Sequence, residues 1–177
     1  MECIAIIPTR LRYIWTLLFD HPQPAPAPTP IDPKLIRTQS DIQTAVVAWI
    51  ANQTTATETY RHISNWNTSA VNNMANLFAS KSTFNDDISG WDVSNVTNMS
   101  YMFYYAVAFN QPIGDWNVST VTDMEGMFSY ASAFNKPLNN WNVSRVTSMY
   151  QMFANARAFN QNLNNWSVIL SVNTSYM

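Results

Sequence analysis

Asn67, Asp92, Asn117 and Asn142 recur at intervals of 25 residues, and Ser167 continues the series. Two flanking series keep the same interval: Asn65, Gly90, Asp115, Asn140 and Asn165 on one side, and Ser69, Ser94, Ser119 and Ser144 on the other. Rows of amides and hydroxyls with few charges donate and accept hydrogen bonds. That is the chemistry of recognition, and its natural ligands are glycan hydroxyls or a protein surface. Asn67, Asp92, Asn117, Asn142, Asp115 and Asn140 are therefore the candidate binding face. The competing reading is a solvated face whose side chains bond one another along the repeats. Asp92 and Asp115 are the only acids in these rows, too few for a dedicated calcium site.

Bond-making chemistry finds little support. With one Cys (Cys3) and two His (His21, His62), a His/Cys metal site is not expected, and no internal disulfide can form. No His is placed for a Ser-His-Asp arrangement. The three glycines cannot assemble a phosphate-cradling loop. No catalytic residue, metal or cofactor is expected, and the chain reads as a non-enzyme. Charged residues are 11% of the chain and the net charge is −2, without the basic stripe that nucleic acid requires.

The rows exist because the chain repeats. Trp66, Trp91, Trp116, Trp141 and Trp166 keep the 25-residue interval. So do columns of Val (71, 96, 121, 146), Met (74, 99, 124, 149) and Phe (78, 103, 128, 153), and a second Phe column (84, 109, 134, 159), each followed by Asn. A fixed period of this length marks one supersecondary unit, copied and stacked. Trp91-Asp92-Val93 alternates apolar and polar, the period of a half-buried strand. Met99, Met102, Phe103 and Ala106 fall at i, i+3, i+4 and i+7, one face of a short helix, with Ser94 and Thr97 available as caps. Each unit is thus expected to be a short parallel strand, a short helix and a return loop. One unit alone cannot offset the entropy of ordering it, so stability comes from neighbours sharing their apolar faces. The tryptophans are expected in that core rather than on a sugar-stacking platform. Asn85, Asn110, Asn135 and Asn160 are expected to satisfy turn backbone groups. Tyr101, Tyr104, Tyr105, Tyr130 and Tyr150 collect on the helical side, where they face solvent or a partner.

Residues 34–64 read as an N-terminal helical cap. Ile42, Val46, Trp49 and Ile50 share a helical face behind Asp41 as N-cap, and a second short helical turn runs from Thr54 to Tyr60. Residues 65–177 are the repeat region. After Trp166 the pattern slips, with Ile169 and Val172 out of register, and the sequence stops at Met177 in the Met152 column. Either a truncated product or an open edge for a partner, including another copy, is expected there. Residues 1–21 are an apolar leader, broken by Pro8, Arg10 and Arg12 and unable to span a bilayer; they read as a signal or a disordered segment. Residues 22–33 are a Pro-rich linker of polyproline II character. Eight N-x-[ST] sequons occur, among them Asn117 and Asn142, where the motif itself reads Asn-Val-Ser, and they are weak evidence for glycosylation.

The run Phe109-Asn-Gln-Pro-Ile-Gly-Asp-Trp116-Asn-Val-Ser-Thr-Val-Thr-Asp-Met124-Glu-Gly-Met-Phe128 resembles the repeat of the BspA-like leucine-rich-repeat surface proteins, a repeat also known as a domain of unknown function in mycoplasma lipoproteins. The likeness covers about residues 66–168. The segment from Ala45 to Trp66 is similar to the lead-in of eukaryotic and viral members. The resemblance implies an α/β repeat solenoid of right-handed leucine-rich-repeat-like coils, exposed at the cell surface or outside the cell, with adhesive or protein-binding roles. It carries no catalytic residues. No lipobox cysteine follows an apolar segment, so a lipid anchor is not expected. The expected function is a non-catalytic binding module for a protein or glycan. The alternative is a structural protein that assembles end to end through its last coil.

Overall fold

The computed structural model describes residues 32–168 and 173–174, within one compact unit, Asp32–Met177. The leader, residues 22–31 of the Pro-rich linker, Cys3, His21, Ile169, Val172 and Met177 lie outside the described residues.

The first part of the described chain contains strand β1 (Ile36–Thr38), helix α1 (Ile42–Ala51), helix α2 (Gln53–Tyr60) and strand β2 (Asn67–Ala70). Single 3-10 turns precede β1 (Pro33–Leu35) and β2 (Ile63–Asn65). α1 forms because Ile42, Ala45, Val46 and Trp49 make a continuous apolar stripe, and all four are buried; Ile50 packs partly against the same core. Asn52 is extended and ends α1, then caps α2 by accepting from the Thr55 amide at 3.1 Å. Asp41 precedes α1 but does not cap it. Its carboxylate is taken by the Thr38 amide at 2.7 Å and by Arg37 at 3.2 Å. β1 and β2 pair in parallel, Ile36 with Asn67 and Thr38 with Ala70.

Arg37 closes this end of the core. It is 2% exposed, donates to the Lys34 carbonyl at 2.8 Å, and lies over the rings of Tyr60 (4.9 Å) and Trp66 (5.2 Å). Stacking lets a guanidinium replace part of its hydration with ring electrons. α1 is tied to the repeats by the Trp49 indole N–H, which donates to Asp86 Oδ2 at 2.8 Å; Gln53 donates to the same oxygen at 3.0 Å.

Beyond β2 each 25-residue unit bonds the next. Parallel bridges join Asn73 to Asn98, Asn98 to Asp123, Asp123 to Ser148, and Ser148 to Asn173. From each bridge a ladder continues. The amides of Met99, Tyr101, Phe103 and Tyr105 donate to the carbonyls of Asp123, Glu125, Met127 and Ser129 at 2.7–3.0 Å. The amides of Met102, Tyr104 and Ala106 instead turn back to the carbonyl three residues earlier. Alternate amides thus serve the neighbouring unit and their own, which accounts for the backbone donors of this segment.

This segment differs from expectation. Residues 99–106 are a succession of turns rather than a helix. The reason is local: Tyr101 (φ 55°) and Tyr105 (φ 53°) sit in the left-handed region, as do Asn76, Gly126 and Gln151 in the first column and Ser80, Tyr130 and Asn155 in the second. A left-handed residue every fourth position forbids a right-handed helix. Trp91-Asp92-Val93 is likewise no strand: among the described residues, 91–95 make no backbone bond to 66–70 or 116–120. Ser94 and Thr97 cap no helix; the Ser94 amide is bonded by Asp92, and the Thr97 hydroxyl donates to the Asn72 carbonyl.

The apolar columns make up the core, with Phe153, Phe159 and Trp166 only partly buried at its far end. Trp66, Trp91, Trp116 and Trp141 are 2–4% exposed. Phe78, Phe103, Phe128 and Phe153 stack in sequence with centroids 5.5 Å apart. The second Phe column stacks at 5.9 Å. Within a unit the two Phe rings lie 3.9–4.1 Å apart.

Candidate binding face

The Trp-x-Val segment turns its polar residue outward because both flanking side chains are held inside. The indole N–H of Trp91, Trp116, Trp141 and Trp166 donates to the carbonyl 28 residues back (Ile63, Ile88, Ile113, Leu138) at 2.8–3.3 Å. Val93, Val118 and Val143 are about 1% exposed. Between them Asp92, Asn117 and Asn142 are exposed, with Ser167 at the next interval and Asn67 half-buried in β2. The flanking Asp115, Asn140 and Asn165 are also exposed. Five of the six candidate residues are thus exposed, and Asn140 shares one hollow with Asn142 and another with Asp115.

Their side chains are partly committed. The Oδ1 atoms of Asn67, Asp92, Asn117 and Asn142 each accept the amide two residues on (Ser69, Ser94, Ser119, Ser144) at 3.0–3.2 Å. Asn67 and Asn117 also accept the Ser hydroxyl at 2.7 Å. These Asx turns hold the chain after each Trp-x-Val in its bend. The hydrogen bonds from Ser94, the hydroxyl first and then the amide, hold the Asp92 carboxyl below the usual range. Each Asn keeps its amide nitrogen for other contacts.

Two hollows lie among these residues. One, of about 340 Å³, is lined by Asn140, Asn142, Asn165 and Ser167, with Trp141 and Val143 among its other walls. The other, of about 170 Å³, is lined by Pro112, Gly114, Asp115, Pro137 and Asn140. Gly114 is required there, since a Cβ would stand 2.5 Å from the Pro137 carbonyl oxygen.

Two features escaped sequence reasoning. The first is the bridge column Asn73, Asn98, Asp123 and Ser148, each of which also accepts an amide two residues on; Asn, Asp or Ser at a 25-residue interval was the available signal. The second is the left-handed columns, where mixed residue types hide the pattern. The Asn column after Phe does bond its neighbours: Asn85, Asn110 and Asn135 accept the amide of the Asn 25 residues on at 2.8–3.0 Å. A threonine ladder also joins successive units, Thr97, Thr122 and Thr147 each donating to the carbonyl 25 residues back at 2.9–3.2 Å.

The tyrosines form a separate cluster. Tyr105 and Tyr130 stack at 4.2 Å, and Tyr104 stands nearly perpendicular to both. Tyr101 donates to Glu125, and that bond, aided by burial, raises its phenol to about 12. Its ring lies where a Cβ at Gly126 would go, 2.4 Å away.

Among the described residues, no three or more His, Cys, Asp or Glu gather as a metal-binding group, and no helix is long and apolar enough to cross a membrane. No curated protein and no solved structure matches the chain. Residues 49–166 match the family described as "Mycoplasma protein of unknown function, DUF285", and since the match spans well over half of the sequence, the chain belongs to that family.

Proposed function

We propose that the chain is a non-catalytic binding or adhesion module, built as a repeat solenoid of the BspA-like leucine-rich-repeat kind and working at the cell surface or outside the cell. Its partner is a protein or glycan, met by the polar face of Asn67, Asp92, Asn117, Asn142, Asp115 and Asn140. The observation that supports this reading is the exposure of Asp92, Asn117, Asn142, Asp115 and Asn140, with open hollows that join Asn140 to Asn142 and to Asp115. An array of units bonded to their neighbours presents such a surface without reorganising, which lowers the cost of binding.

A screen against glycans and surface proteins tests the reading, repeated with Asn117→Lys and Asn142→Lys. Asn117→Asp and Asn142→Asp serve as controls, since they keep the oxygen that bonds the following amide. Loss of a partner with Lys and not with Asp supports the face. Retention of every partner in the Lys variants refutes it. Sedimentation over a range of concentrations distinguishes a monomeric binder from a protein that assembles end to end.

A further inference from the structure

Tyr105 and Tyr130 belong to adjacent repeats, and their stacking is the only face-to-face tyrosine pair among the described residues. The centroids are 4.2 Å apart and the planes 9° from parallel. The neighbouring tyrosine contacts, Tyr101 with Tyr104 and Tyr104 with Tyr105, are edge-on at 86° and 79°. Both stacked residues reach solvent, at 39% and 37% exposure. Both roots are pinned: the Tyr105 amide donates to Ser129 at 3.0 Å and the Tyr130 amide to Ala154 at 2.8 Å. Both also occupy a left-handed backbone position (φ 53° and 61°), where the equivalent residues are Ser80 and Asn155. A bulky ring is an uncommon tenant of that conformation, and such outliers point to a use for the side chain.

We propose that Tyr105 and Tyr130 are an oxidative modification site, which a one-electron oxidant of the peroxidase and hydrogen peroxide class converts to an internal dityrosine. Each phenol gives up one electron and one proton to become a phenoxyl radical. The radicals join through the ring carbons ortho to oxygen, forming one carbon–carbon bond, and the hydrogens on those carbons move to the phenol oxygens as the rings regain aromaticity. The pair loses two electrons and two protons in all, and hydrogen peroxide takes them up as two waters. The product is a covalent staple between one repeat and the next. It involves none of the candidate polar-face residues and does not depend on the binding reading.

The full chain, treated with a haem peroxidase and a stoichiometric amount of hydrogen peroxide, should gain blue dityrosine fluorescence. Its monomer mass should fall by two hydrogens, with a yield independent of protein concentration. Cleavage after Glu125 separates the two tyrosines, so peptides carrying Tyr105 and Tyr130 should be recovered joined. Y105F and Y130F should each reduce this product to background, Y104F should keep it, and the oxidised wild type should unfold at higher denaturant. The proposal is overturned by a monomer product that persists in Y130F, or by joined peptides that map to another tyrosine pair. It is also overturned if only concentration-dependent dimers form, or if no product forms while free tyrosine couples in the same mixture.

Discussion

The Trp-x-Val segment (91–96) and the Met-x-x-Met-Phe segment (99–106) carry equally regular apolar patterns, yet they use their backbones in opposite ways. In the first, turn bonds such as Val96 to Val93 close within the unit, and side chains reach the neighbours: Asn95 donates to the Ser69 carbonyl and Thr120 to those of Ser94 and Val96. In the second, the backbone itself is the link, four amides of one unit reaching four carbonyls of the next. A period of two marks which side chains are buried and does not require a ladder. Spacing of i, i+3, i+4 and i+7 likewise marks one buried face, and turns with alternate left-handed residues satisfy it as well as a helix does.

The largest expected break is in the first segment. Trp116→Ala removes a ring that is 4% exposed and its bond to the Ile88 carbonyl, and should cost roughly 3–5 kcal/mol in denaturant unfolding. Unchanged stability would mean that the indole column is not core. In the second segment, Gly126→Ala forces a side chain into φ 56° and against the Tyr101 ring. It should cost about 1–3 kcal/mol, and adding Tyr101→Ser should recover part of that loss. If the double variant is no better than the single, the clash is not the cause.

Smaller changes sharpen the contrast. Ser80→Gly, at an exposed left-handed position, should stabilise by about 0.5–1 kcal/mol, the left-handed cost of a side chain less the added chain entropy of glycine. A destabilised melt would show that the Ser80 side chain matters more than its backbone. The smallest effect concerns Asp92, whose folded carboxyl is held below its usual range by Ser94. Its contribution is present above the unfolded value and is lost as pH falls through the folded one. Stability should therefore decline slightly below about pH 4, and Asp92→Asn should make that decline smaller while keeping the Asx turn, Asp32 and Asp87, also held low, supplying the rest. An acid titration that is the same for both proteins would sink this assignment.

The core was legible residue by residue, because a buried column repeats its type: Trp66 to Trp141, Phe78 to Phe128 and Val71 to Val146 are all buried. Helix α1 was legible too, since the stripe from Ile42 to Trp49 has the spacing of a helix face. The polar face was half legible. Exposure of Asp92, Asn117 and Asn142 follows from alternation with Trp and Val, whereas the use of their oxygens by the chain two residues on does not. Arg37 gave no signal, because a lone basic residue reads as solvated until Tyr60 and Trp66 are brought over it.

By itself, then, the sequence determined the period, the inward columns and the outward rows, because burial selects side-chain type and a copied unit displays that selection again every 25 residues. Tertiary structure alone decided where each backbone group finds its partner. Left-handed φ values at positions as unlike as Asn76, Tyr101 and Gly126 are held by amide bonds to carbonyls 24 residues further on. Such a conformation costs free energy locally and is repaid only when the neighbouring unit is in place.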